Sequence, residues 1–325
     1  MRTTVVGSYP KVTEAPGEPL PGLIDRWQKQ QVDAAQLEAA LRAATQRVIR
    51  EQEEAGVDLI TDGQIRWEDL THPVGAALGH VQLGGLRRFF DNNVYYRRPL
   101  VSGPPTWTRP ILVPWFTQAL AMTARPLKAV VPGPLTFTIL AEDQRNGAAT
   151  SERLLEEMVP VIRQEVEALV AAGATHVQLD EPALEPRQPL AAAGVRAINA
   201  VFRGIRATRW VACYFHDVTP LIPTLATLEA EVLGLDLVTA PALADHVSAL
   251  PQQVALGVLD ARNTRLESPE EVARLVTRAM GRHGPDRLWL MPNSGLEFLP
   301  HRRAVEKLER LVAAARTLAG QPAPR

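Results

Sequence analysis

Residues able to do acid–base or ligand chemistry gather at short stations along the chain. Asp180 and Glu181, followed by Pro182, place two adjacent carboxylates where an apolar run stops, a pattern that packing explains poorly. Cys213 is the one cysteine, and His216 stands three residues after it with Asp217 next in line. A thiolate, an imidazole and a carboxylate can share a metal ion. A lone strand-end cysteine is as readily a small buried hydrophobe, and the histidine as readily a loop hydrogen-bonding group. Four further stations combine small residues with polar ones: Gly7-Ser8-Tyr9-Pro10-Lys11, Asp62-Gly63-Gln64, Asp260-Ala261-Arg262 and Asn293-Ser294-Gly295. Arg262 suits either an ion pair or bidentate capture of a carboxylate or phosphate. Converging hydroxyl, amide and acidic groups fit a polar metabolite that carries both an amino and a carboxylate group.

These stations follow short apolar stretches of strand type. Eight such stretches can be read, at 3–6, 57–61, 129–132, 175–179, 210–214, 235–239, 255–259 and 288–291, separated mostly by helical patterns. Leu37, Leu41, Ala44 and Val48 share one face of a helix over 33–55, and Gly56 supplies its left-handed end. Leu154, Met158, Ile162, Val166 and Leu169 do the same over 151–172, up to Gly173. Ser268, Pro269 and Glu271 form a capping box that starts a helix running to about 282. Strand–helix alternation predicts an α/β fold with a parallel sheet, and eight repeats predict closure into a single (β/α)8 TIM barrel. An open doubly wound sheet competes, weakened by the lack of a GxGxxG turn after any early strand. Residues 81–99 break the rhythm and read as two strands joined by Asp91, Asn92 and Asn93, a β-hairpin inserted after strand 2. Its Arg87, Arg88, Tyr95, Tyr96, Arg97 and Arg98 suit a lid over an anionic or aromatic substrate. In a barrel the polar stations fall at C-terminal strand ends, the face on which such folds build active sites.

Length and composition narrow the classes. A chain of 325 residues, 46% hydrophobic, can bury a large core, and no linker or composition shift divides it. One domain is expected over 1–319, with a frayed tail at 320–325. Lys and Arg number 35 against 36 Asp and Glu, so a net charge of −1 gives no overall attraction to nucleic acid or an anionic membrane. A single cysteine excludes an internal disulfide framework and a multi-cysteine zinc site. No run approaches the roughly 20 apolar residues of a membrane span, and the N-terminal residues lack a signal-peptide core. A soluble cytoplasmic protein is the expectation.

The assembled segments resemble a known family. TTVVGSYPK, DLITDGQIRWEDL, FFDNNVYYRRP, VVPGPLTF, VQLDEPAL, WVACYFHD and PNSGLEFLPHRRAVEKL are similar to the catalytic domain of cobalamin-independent methionine synthase, in its single-barrel version. That superfamily is shared with uroporphyrinogen decarboxylase. The resemblance implies methyl transfer from methyltetrahydrofolate, or another methyl carrier, to the thiol of homocysteine. It implies a zinc ion, held by His, Cys, Glu and Cys, that lowers the thiol's pKa.

Carried over residue by residue, Ser8 stands where the family binds the amino acid's carboxylate, and Asp180 at one of two acidic positions that hold its ammonium. Gln64 replaces the other acid. The zinc positions read Val211, Cys213, Val238 or Pro241, and Ser294; the catalytic histidine position reads Arg262, and the pterin-stacking tryptophan falls near Leu140. Cys213, Asp180 and Arg262 are therefore the catalytic candidates. Ser8, Gln64, Asp180, Glu181 and Ser294 are the substrate-binding ones, with Cys213 and His216 as candidate metal ligands. The implied protein is a methionine-synthase-like transferase for a small amino-acid thiol, with an altered or absent zinc site and a methyl-carrier protein as a candidate partner. The alternatives are a metal-free C–S or sulfur-transfer enzyme, or a non-catalytic barrel that binds an amino acid or methyl carrier.

Overall fold

A computed structural model of the chain describes residues 1–12, 19–145, 150–280 and 284–319. The tail expected at 320–325 lies outside the described residues. In chain order the strands are β1 (Arg2–Thr3), β2 (Gly79–Arg88), β3 (Tyr95–Thr106), β4 (Lys128–Pro132), β5 (Glu142–Asp143), β6 (His176–Asp180), β7 (Thr208–Cys213), β8 (Val232–Asp236), β9 (Gln253–Leu259) and β10 (Leu288–Pro292). Seven of them form a curled parallel sheet, ordered β1-β10-β9-β8-β7-β6-β4, in a TIM-barrel-like α/β fold. Between the two outer strands runs the short stretch Leu59 and Ile60. Leu59 bridges in parallel to Thr4, and Ile60 to Leu127. The expected strand at 57–61 is reduced to these two bridges.

Side chains alternate across the sheet. Val211, Cys213, Leu233 and Leu235 point into a large core shared with helix residues such as Val48, Ile162, Val166 and Leu308. Trp210, Ala212, Tyr214, Val232 and Met291 belong to a second cluster inside the curl. A stretch buried on both faces shows no alternation in sequence, so periodicity cannot tell which parity faces the interior.

The long helices begin and end where local chemistry dictates. Asp33 caps Ala34–Ala55 by accepting the Gln36 N–H at 2.7 Å, the Gln36 side chain answers the Asp33 N–H at 3.1 Å, and Gly56 closes it at φ 90°. Thr150–Ala171 follows the expected stripe, and Gly173 leaves it at φ 101°. Ser268 and Glu271 exchange the two bonds of a capping box ahead of Pro269–Met280; the rest of that expected helix, 281–283, lies outside the described residues. One strand is displaced from expectation. The run at 235–239 is instead Val232–Asp236, because Asp236 accepts the N–H groups of Val238 (3.1 Å) and Thr239 (2.8 Å) and turns the chain out of the sheet. Leu237 is buried inside that turn, which keeps the sequence apolar past the strand's end.

Strands β2 and β3 pair antiparallel, and β5 adds to β3 in parallel. The turn between them is tied by Phe89 N–H to Val94 O (2.9 Å) and Asn92 N–H to Phe89 O (3.1 Å). Phe89 and Phe90 pack edge-on or tilted against Phe215 with ring centroids about 6 Å apart, and Tyr96 donates its hydroxyl to Leu140 O at 2.8 Å. The arginines do not form the expected cationic lid. Arg88 bonds the turn's own Asn92 O, Arg97 pairs with Glu68 and Arg98 with Glu142, while Arg87 reaches only the backbone of Leu86. No helix among the described residues is long and apolar enough to cross a membrane.

Candidate functional site

A cleft of about 600 Å³ opens over the C-terminal strand ends, lined by Ser8, Lys11, Gln64, Trp67, Asp180, Tyr214, Glu297 and Phe298, with Phe89, Val94 and Tyr95 from the β2–β3 turn. The chain after β1 supplies Ser8. Thr61 donates its hydroxyl to Gly7 O at 2.8 Å and Tyr9 N–H bonds Gly63 O at 3.0 Å, so the segments around Ser8 and Gln64 are held against each other. Gly63, at φ 71°, must be glycine, since a Cβ there would stand 2.6 Å from Val48. Gln64 itself sits at φ 50°, a backbone state that costs a non-glycine residue free energy and is steadied here by Asp62, whose carboxylate accepts the Gln64 N–H at 2.9 Å. Its carboxamide packs on Gly7, and its buried Nε2 has no partner.

Asp180 ends β6 on the inner face. Gln178 Nε2 donates to one carboxylate oxygen at 2.6 Å and the Tyr214 hydroxyl to the other at 3.2 Å. Deeper in the curl, Lys128 donates to Val5 O at 2.7 Å and lies 4.7 Å from the Trp210 ring centre. Burial pushes the Asp180 carboxyl up to about 7, against the pull of Gln178 and Lys128, and burial likewise brings the Lys128 ammonium down to about 7, against the attraction of Asp180. Glu297 enters from the short turn Leu296–Phe298 after β10 and accepts the Ser8 hydroxyl. Its carboxyl is raised by burial, partly offset by Ser8 and Lys11. Lys11 belongs to the expected station around Ser8, whereas Glu297 is not among the residues expected from the sequence. The available signal for Glu297 was its place three residues beyond Ser294, the only carboxylate near that station.

Of the expected site residues, Ser8, Gln64 and Asp180 come together. Four others are held elsewhere. Glu181, one residue past Asp180, faces the opposite way and accepts Leu135 N–H (3.1 Å), Thr136 N–H (2.8 Å) and the Thr136 hydroxyl (2.7 Å), capping the helix Pro134–Leu140. Cys213 points into the sheet–helix core, where burial and the nearby Glu181 and Asp180 push its thiol pKa up, away from thiolate. Ser294 is fully buried beside Gly295 O. Arg262 lies over the Phe215 ring at 5.1 Å and donates to Asn92 (3.3 Å) and Thr239 (3.1 Å), tying the β2–β3 turn to the loop after β8.

His216 is also set apart: it faces Glu185 at 3.5 Å, and its ring lies edge-on to Phe90. Among the described residues no three His, Cys, Asp or Glu side chains are grouped to hold a metal ion. Of the positions that the resemblance gives to zinc ligands, Val211, Cys213, Val238 or Pro241, and Ser294, only Cys213 carries a sulfur or imidazole donor, and it faces the core, so these residues do not fit a zinc centre.

A curled parallel α/β sheet with a polar, carboxylate-bearing cleft over its C-terminal strand ends defines a TIM-barrel-like protein. Residues 1–317 match the family model described as the cobalamin-independent synthase catalytic domain, and the chain belongs to that family. The 5-methyltetrahydropteroyltriglutamate–homocysteine methyltransferase of Streptomyces avermitilis is 30% identical over 99% of this chain, which spans only 42% of that protein's length. A methionine synthase of Sulfolobus acidocaldarius is 28% identical, with 95% of this chain and 90% of that one covered. Among solved structures, a B12-independent methionine synthase from Shewanella sp. W3-18-1 in complex with selenomethionine superimposes with a TM-score of 0.84 at 20% identity, covering 98% of this chain and 97% of that one. At that identity the likeness speaks for the fold.

Proposed function

We propose that the chain is a methionine-synthase-like transferase that binds homocysteine or a related amino-acid thiol in the cleft and methylates its sulfur from methyltetrahydrofolate or another methyl carrier. The thiolate forms the S–CH3 bond as the donor atom leaves with the old bond's electron pair and, for a folate nitrogen, takes up a proton from water. We read the scaffold as one (β/α)8 barrel over 1–319, with Leu59 and Ile60 as its eighth strand position and the β2–β3 hairpin as an insertion after the second strand. The observation that carries the reading is the meeting of Ser8, Asp180 and Glu297 in one cleft of a chain from this family. Acidic groups there hold an ammonium, Lys11 has N–H donors left for a carboxylate, and the apolar wall of Phe89, Val94 and Phe298 takes the sulfur end and excludes water.

Zinc enters none of these steps, since the residues present do not fit it. An alkyl thiol with a pKa near 8.5 is about a quarter ionised at pH 8. Turnover limited by that thiolate rises about tenfold per pH unit below pH 8. A metal-activated thiol would give a flat profile instead.

The test is homocysteine methylation, followed from pH 6.5 to 9 on protein purified without chelator and analysed for metal. Methionine formation that climbs with pH at well below one zinc per chain is the expected result. Stoichiometric zinc with a flat profile contradicts it. The missing zinc donors also favour a second reading, an amino-acid-binding barrel without turnover. Tight homocysteine binding with no methionine formed from any methyl donor would establish that reading.

A further inference from the structure

The cleft has acquired a carboxylate that the resemblance does not supply and has lost one that it does. We propose that Glu297 is the second ammonium-binding carboxylate of this chain, paired with Asp180, and that Gln64 now meets the ligand as a neutral hydrogen-bonding group. This rests on the amino-acid-binding reading above and assigns the contacts within it.

Three features carry the assignment. First, Ser8 stands between the two positions. The Gln64 carboxamide packs on Gly7 to one side, and Glu297 accepts the Ser8 hydroxyl on the other. Gly295 permits that approach, because a Cβ there would collide with both the Ser8 oxygen and the Glu297 carboxylate. Glu297 therefore reaches the same end of the cleft that Gln64 faces, from a different strand end.

Second, the charges are poised for a cation. Asp180 and Glu297 both line the cleft, and the charge of Glu297 adds to the forces that keep Asp180 protonated. Lys128 and Lys11 are the nearest cations, and both have their Nζ bonded to backbone carbonyls: Lys128 to Val5 O, Lys11 to Trp67 O. A ligand ammonium, with three donors to give, relieves the repulsion between the two carboxylates.

Third, Gln64 is an open hydrogen-bonding group. It is 5% exposed, it lines the cleft, and its Nε2 has no partner in the protein. Buried side-chain amides are almost always satisfied, so an unpaired one on a cleft wall points to a polar ligand group, and the amide can turn to present Oε1 to an ammonium.

The experiment measures, by calorimetry at pH 8, the affinity of L-methionine and of 4-(methylthio)butanoate, which lacks only the ammonium. Wild type, Glu297→Gln, Gln64→Glu and the double variant are compared. Wild type should prefer methionine by about 100-fold, a margin of the size that a buried charge-assisted contact provides. Glu297→Gln should weaken methionine binding by about tenfold or more while leaving the deaminated analogue unchanged, and adding Gln64→Glu to it should restore most of the loss. Gln64→Glu alone should change methionine affinity less than about threefold, because Glu297 already supplies the charge.

A folded Glu297→Gln protein with wild-type preference for methionine overturns the assignment. So does a gain of about tenfold or more from Gln64→Glu alone, which does not depend on how the Glu297 variants fold. Failure of wild type to bind either L-methionine or L-homocysteine refutes the functional reading itself and is distinguishable from both.

Discussion

Asp180→Asn is expected to abolish the tight amino-acid binding proposed for the cleft. At pH 8 the variant is expected to bind L-methionine on the order of 100-fold more weakly than wild type, since removing one side of a buried charge-assisted contact costs about 2–5 kcal/mol. The side chain keeps its size, its Oδ1 can still accept from Gln178, and its Nδ2 can donate to the Tyr214 hydroxyl oxygen, so the loss is one of charge rather than shape. Lys128 loses its neighbouring anion, but with a pKa near 7 it is largely neutral at pH 8, and the fold carries no unpaired buried charge.

A pH dependence accompanies this result. Burial raises Asp180 above its ordinary value, to about 7, so protonation removes the ammonium's partner near neutrality rather than near pH 4. Methionine affinity in wild type should fall about tenfold from pH 8 to pH 6, and the Asn variant should lose most of that slope. Lys128 titrates in the same range, so the midpoint belongs to the pair. A variant that binds within about threefold of wild type, with the slope intact, would place the ammonium elsewhere.

Glu181→Ala has the largest expected effect on stability. It removes the one acceptor shared by Leu135 N–H, Thr136 N–H and the Thr136 hydroxyl, all buried, and leaves a void over Gly133. Each stranded buried donor costs about 1–3 kcal/mol, so a total of about 3–5 kcal/mol is expected after local relaxation. For a chain of this size the melting temperature should drop by roughly 4–7 °C. Thermal denaturation measures this. Methionine affinity in the protein that remains folded should change far less than in Asp180→Asn. A Glu181→Ala protein of undiminished stability that had lost methionine binding would return Glu181 to the ligand site.

The contrast between these neighbours explains how much was legible in the sequence. Helix ends carry local chemical marks, and Asp33 with Gln36, Gly56, and Ser268 with Glu271 place them to within a residue or so. Interior strands carry no such marks. Because β6 and β7 are buried on both faces, nothing in VQLDEPAL or WVACYFHD distinguishes the inward Asp180 and Tyr214 from the outward Glu181 and Cys213. Alignment with family ligands could suggest Cys213 as a site residue, but one step of strand parity turns it into the core.

Arg262 and Ser294 lie outside the cleft's lining for related reasons. One is engaged by Asn92, 170 positions away, and the other is closed off by its own turn. Glu297 lies in a turn, where neither periodicity nor a family motif assigns a role, and the Ser8 hydroxyl on its carboxylate is what ties it to the cleft.

The most direct test of the account is a crystal structure of the protein soaked with L-selenomethionine, with anomalous data at the selenium edge. The account predicts one ligand selenium against the apolar wall of the cleft, near Phe89 and Phe298, with the ligand's ammonium within hydrogen-bonding distance of Asp180 and Glu297. A ligand seated beside Cys213 and His216, or one in the cleft with its ammonium turned away from both carboxylates, would contradict it.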